Sequence, residues 1–181
     1  DKQVDNTWPE SANYGYFAGG AISSRVCTID RIDFSNETVS LPGPSLTQAR
    51  WGLAAVSALN YGYFGGGTDY AGKVDRIDFS TETTSAPGNN LGQGNFLLGS
   101  LSNFNYGYFG GARNPAVSPF NVSTINRIDY NNETISSPGN NLLEGRHTLS
   151  GVSDNANYGY FGCGNDGSLV ATVDRLDFSN D

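Results

Sequence analysis

Asn60–Gly67 reads NYGYFGGG, and a little further on Val74–Thr83 reads VDRIDFSTET. In the first string aromatic residues end abruptly in glycines, as in a strand that needs positive backbone angles for a sharp exit. In the second, Val74, Arg76 and Asp78 fall on one face of an extended chain, and Asp75, Ile77 and Phe79 on the other. FSTET then reads as a turn, because serine, threonine and asparagine bond their own backbone there. A short strand follows and runs into a Pro-Gly break at Pro87.

Both strings recur. NYGYF starts at 13, 60, 105 and 157, giving spacings of 47, 45 and 52. In step with it come TIDRIDFSNET from Thr28, TINRIDYNNET from Thr124 and TVDRLDFSND from Thr172. A third, small-residued string precedes each later copy: RWGLAAVSAL from Arg50, NFLLGSLSNF from Asn95 and HTLSGVSDNA from His147. Pro-Gly breaks stand at Pro42, Pro87 and Pro138, and no segment keeps helical periodicity over three turns. The chain reads as one all-β domain over 1–181, in repeats of about 1–46, 47–91, 92–143 and 144–181. Each repeat supplies four antiparallel strands, and this period with this strand count marks a β-propeller blade. Ala54, Ala55, Ser57 and Ala58, and likewise Gly99, Ser100 and Ser102, suit the crowded innermost strand. Gly62 is expected to admit a neighbouring blade, with the tyrosines and phenylalanine of NYGYF filling the wedge between blades. Either residues 1–9 patch the last blade and close a four-bladed ring, or these blades are part of a larger ring.

The order of an aromatic strand ending in Gly-Gly, an Asp-Phe or Asp-Tyr strand, a turn, a Pro-Gly segment and a small-residue strand resembles the kelch repeat. GYFGGG…VDRIDFS.ET…PG is similar, more narrowly, to kelch-like arrays in structural and fibre proteins of marine phages, especially cyanophages. The tryptophan that kelch blades carry after the turn is absent; Trp8 and Trp51 lie elsewhere. The resemblance implies a propeller fold and a non-enzymatic structural or recognition module. Such a module would sit on a virion (in a tail fibre or attached to the capsid) or on a cell surface. It would bind a host surface glycan or protein, or other virion proteins. The alternative is an intracellular, cytoplasmic kelch-type adaptor for protein interactions; a propeller glycosidase or oxidase is the third reading.

Composition narrows these classes. Charged residues are 15% of the 181, against a usual level of roughly 25%. A net charge of -8 argues against nucleic acid, which needs a cationic surface. No apolar run approaches the roughly 18 residues of a membrane span, so no insertion is expected. The absence of methionine fits a processed chain or a piece of a longer one. The one histidine, His147, stands where other copies have Trp51 and Phe96, as a strand-end residue. No HExxH-type spacing and no nucleophile with a local base appear, so neither enzyme, metal nor cofactor is expected. Asp69 and Asp166 suit calcium and turn chemistry equally. The sequons at Asn36, Asn121 and Asn132 permit glycosylation only on a eukaryotic secretory route.

Arg31, Arg76, Arg127 and Arg175 are each flanked by acids, among them Asp33, Asp78, Asp129 and Asp177. These residues are expected between packed sheets, each guanidinium paired with carboxylates there, since a buried charge must be paired. Cys27 and Cys163 belong to the first and last copies. Either they cross-link a closed ring or they stand as two separate thiols.

Length variation points to the binding surface. From each repeat's arginine to the next asparagine the gaps are 29, 29 and 30 residues (31→60, 76→105, 127→157). From asparagine to its own arginine they are 18, 16, 22 and 18 (13→31, 60→76, 105→127, 157→175). Variation is therefore concentrated in the loop joining the second and third strands, and repeat folds carry insertions on their binding face. Asp69, Tyr70, Arg113, Phe120, Asn165 and Asp166 lie in these loops and are the candidate ligand contacts.

Overall fold

The computed structural model describes residues 13–68, 72–92 and 95–181. The proposed N-terminal patch, residues 1–9, lies outside them, as do Asp69 and Tyr70. The described chain is all strand and turn. The first repeat forms β1 (Tyr14–Ala18), β2 (Ile29–Asp33) and β3 (Thr38–Ser40). The second forms β4 (Leu53–Ser57), β5 (Tyr61–Gly66), β6 (Val74–Asp78) and β7 (Thr83–Ser85). The third forms β8 (Gly99–Ser102), β9 (Tyr106–Arg113), β10 (Asn121–Asp129) and β11 (Ile135–Ser136). The fourth forms β12 (Ser150–Ser153), β13 (Tyr158–Gly162) and β14 (Val173–Asp177).

Each repeat is one antiparallel sheet in chain order: β1-β2-β3, β4-β5-β6-β7, β8-β9-β10-β11 and β12-β13-β14. The arrangement is propeller-like. Among the described residues no strand pairing joins the first sheet to the fourth, so no closed ring is seen. The four sheets are called blades I to IV below.

Period-two alternation decides which neighbour each side chain meets. Tyr63 and Gly65 face blade III, where Tyr130 stacks on Tyr63 and Phe109 covers Gly65. Phe64 faces the other way, into a core with Ile29 and Leu46 of blade I. The close approach expected at Gly62 occurs instead at Gly65: a Cβ there would lie 2.8 Å from the Phe109 ring. At Gly110 it would lie 2.7 Å from the Phe161 ring. The nearest atoms to a Cβ at Gly62 belong to Ile77 and Phe79 of its own blade. At Gly107 and Gly159, however, the nearest atoms include Val56 and Leu101 of the preceding blade.

Three apolar wedges result, one per blade junction, holding Phe64, Phe109 and Phe161 as the central rings. Each ring contributes on the order of 1.5–3 kcal/mol by burial. At the inner edge β4 lies against β8 and β8 against β12. Small residues let these strands touch: the Ser100 hydroxyl donates to the Ala55 carbonyl at 2.7 Å, and the Ser153 hydroxyl donates to that of Ser102.

Candidate functional site

The repeated polar residues form the joints between blades. Arg76 Nη1 lies 2.9 Å from Glu133 Oε1, and the Tyr63 hydroxyl donates to the same oxygen at 3.0 Å. The Arg76 guanidinium also covers the Tyr61 ring, 4.6 Å from its centroid. Burial first, and the Glu133 carboxylate second, push the Tyr63 hydroxyl well above the ordinary tyrosine range, so it stays a donor. The joint repeats between blades I and II, where Arg31 and Tyr16 hold Glu82 at 2.8 and 3.0 Å. Between blades III and IV, Arg127 and Tyr108 hold Asp181 at 3.3 and 2.5 Å.

The partner acids thus come from the turn of the next blade rather than from the flanking aspartates. Asp33, Asp78, Asp129 and Asp177 do not pair across blades. Their Oδ1 atoms accept the amides of Ser35, Ser80, Asn131 and Ser179 two residues on, which is local turn capping. The strand ends where they stand, so their side chains reach their own turn before any neighbouring sheet. Arg175 covers Tyr158 and makes no ion pair among the described residues, although, behind the Ser179 hydrogen bonds, its charge helps to lower the pKa of Asp177 in its own blade.

A second polar device lies on the opposite face of blades II and IV. Arg50, 1% exposed, sits 2.5 Å from Asp75 and donates to the carbonyls of Gly66 and Phe64. Arg146 does the same with Asp174, Cys163 and Phe161 in blade IV. Blade III replaces the pair by Asn95 and Asn126, both buried. These arginines escaped the sequence reading, although arginine stands opposite aspartate and asparagine opposite asparagine across the copies.

With the repeated residues between adjacent blades engaged in joints, the variable loops stand apart. In blade III β9 and β10 run long, and Arg113 pairs with Asn121 at the base of the inserted loop. Asn114, buried at that base, accepts the amide of Ala116 and donates its own to the Phe120 carbonyl. The Phe120 side chain stays 55% exposed. Facing it, the blade IV loop is held by backbone bonds between His147 and Asn165 at 3.0 and 2.9 Å.

Between the two loops lies a cleft of about 650 Å³ whose lining includes Arg113, Phe120, Asn121, His147, Asn165 and Asp166. Four of the six loop candidates therefore converge on one site. Arg113 has no side-chain hydrogen bond or ion pair among the described residues. His147 Nδ1 lies 2.9 Å from Asn121 Oδ1, so the ring donates there and leaves Nε2 as an acceptor. Burial, and then the Arg113 charge, hold the imidazole below its ordinary pKa and favour the neutral ring. Among the described residues the cleft offers an unpaired guanidinium, an aromatic face, amides and a carboxylate. That set suits a polar ligand with a flat apolar side.

The remaining candidates are placed elsewhere. Cys27 and Cys163 are unbridged: Cys27 packs against the first wedge, while Cys163 is exposed at φ 59° where Gly66 and Gly111 stand in other blades. Asp166 Oδ1 accepts the Ser168 amide, a turn contact, and no cluster of three or more metal-binding side chains occurs among the described residues. Asn36 and Asn132 likewise accept turn amides, whereas Asn121 faces the cleft. No described helix is long and apolar enough to cross a membrane. No protein-family profile and no curated protein matches the chain, so its function has to be read from its own geometry.

Proposed function

We propose that this chain is a non-enzymatic recognition module of kelch-like design that binds a surface glycan or protein through the rim cleft between blades III and IV. The observation that carries the reading is the convergence of Arg113, Phe120, Asn165 and Asp166, from two variable loops, on one cleft. The repeated arginines and tyrosines of blades I to III are consumed by the joints between blades and have little capacity for a ligand. The cleft residues differ from blade to blade, which is what selectivity requires. An exposed ring beside the Arg113 guanidinium and planar amides supports stacking on a sugar face with hydrogen bonds at its edge. The same groups serve a protein loop presenting a carboxylate. The reading places the module on a virion or an extracellular surface, where such partners are found.

Wild type and Phe120→Ala, applied to a glycan array and to intact cells, test it. Phe120 is exposed, so the variant keeps the wild-type Tm within about 1 °C while losing array or cell binding by about tenfold. Wild-type protein that binds neither surface refutes the reading, as does a Phe120→Ala variant that binds undiminished.

A further inference from the structure

Blades I and IV each present half of the joint that holds the blades together. On blade I the turn acid Glu37 is exposed at φ 58°, matching Glu82 at 52° and Glu133 at 57° inside completed joints. Phe34, which corresponds to the stacked rings of Phe79, Tyr130 and Phe178, is 58% exposed. Phe17, which corresponds to the three central rings, is exposed as well. Blade IV offers the complement. Tyr160 is 36% exposed, although its counterparts Tyr63 and Tyr108 are fully buried under a neighbour's ring. Arg175 lacks the carboxylate its counterparts hold. At Gly162 a Cβ would meet only Val173, at 3.8 Å, whereas the same position in blades II and III is filled by a phenylalanine of the next blade.

We propose that these faces are two halves of one interface and that copies of this chain associate head to tail through it. The turn of one copy's blade I docks on blade IV of another. Phe34 then stacks on Tyr160, Glu37 accepts from the Tyr160 hydroxyl and Arg175, and Phe17 covers Gly162. A second copy is the occupant because blade I carries every complementary group, in the backbone conformation the completed joints use. The charge signs also match, acid on one face and guanidinium on the other. Among the described residues the two faces do not meet within the chain, so each remains open to the other copy's face. Two different patches are involved, so the contact is heterologous: it closes a ring or extends a filament according to the rotation between copies. The inference is independent of the rim cleft, which lies on the loops.

Sedimentation of the 181-residue chain over a range of concentrations tests the proposal. Wild type is expected to associate, with mass rising above the 19.2 kDa monomer. Glu37→Arg and Arg175→Glu, each alone, set like charges against each other and weaken association by about tenfold or more. An equimolar mixture of the two restores it, because blade I of either variant then meets an opposite charge on blade IV of the other. Phe34→Asp, on the same face, reads the aromatic half independently, and thermal melts verify that each variant is folded. Wild type that stays monomeric up to millimolar concentration overturns the proposal. So do charge variants that associate like wild type, or a mixture that fails to recover.

Discussion

Arg50→Asn should destabilise the chain strongly, and adding Asp75→Asn to it should recover part of the loss. In the wild type the Asp75 carboxylate is fully buried and 2.5 Å from Arg50, while Asp75 Oδ1 accepts the Thr47 amide at 3.2 Å. Removing the guanidinium leaves a buried unpaired carboxylate and strips donors from the carbonyls of Phe64 and Gly66. Breaking such a pair costs about 3–5 kcal/mol, a large share of the roughly 5–15 kcal/mol by which a domain is stable. Asp75→Asn alone strands the arginine instead. The double variant Arg50→Asn/Asp75→Asn has no buried charge, and blade III carries asparagine at both positions: Asn126 Oδ1 accepts the Gly92 amide at 3.2 Å, while the buried Asn95 side chain and Asn126 Nδ2 have no hydrogen-bond partner among the described residues, so the recovery is only partial. The double variant should therefore be more stable than the sum of the singles implies, by about 1–3 kcal/mol. Urea denaturation followed by tryptophan fluorescence at low temperature measures all four corners of the cycle. Additivity within about 0.5 kcal/mol would refute the argument that the charges matter chiefly to each other.

Glu133→Gln keeps the shape of the turn but removes the charge shared by Arg76 and Tyr63. The Arg76 and Glu133 side chains are half-buried, so the loss is about 1–2 kcal/mol and Tm falls by about 3–6 °C; an unchanged melt by calorimetry refutes the joint. Asp154 accepts the amides of Ala156, Asn157 and Tyr158, which hold its pKa down to about 2. Its folded pKa lies below the ordinary value, so its contribution is complete above the ordinary carboxylate range and is lost as pH falls through about 2. Asn103 makes the same turn in blade III without titrating, accepting the amides of Asn105 and Tyr106. Asp154→Asn should accordingly shrink the drop in Tm between roughly pH 5 and pH 2, and a melting series showing an undiminished drop counts against it.

The repeated strings were sufficient to read the strands, their order within each sheet, the turns and the small-residue inner edge. Period-two alternation and glycine placement are local properties, and four copies remove the ambiguity that a single short strand carries. The candidate cleft was legible only in part. Loop length pointed to Arg113, Phe120, Asn165 and Asp166, but it did not indicate that two loops share one site or that His147 joins them.

Partner choice lay beyond the sequence. Arg76 has Asp75 and Asp78 close beside it along the chain, yet it bonds Glu133, 57 positions later. A strand's side chains point away from its own neighbours in sequence and towards the adjacent sheet, so sheet packing decides which acid each arginine meets. The same reason explains Gly65 in place of Gly62. The chain by itself determined which residues are extended and which faces they share; the stacking of blade on blade determined which of those faces are filled. It also left the two outer faces of the stack, Glu37 with Phe34 and Arg175 with Tyr160, exposed, because a joint needs groups from two blades and each outer blade supplies only one half.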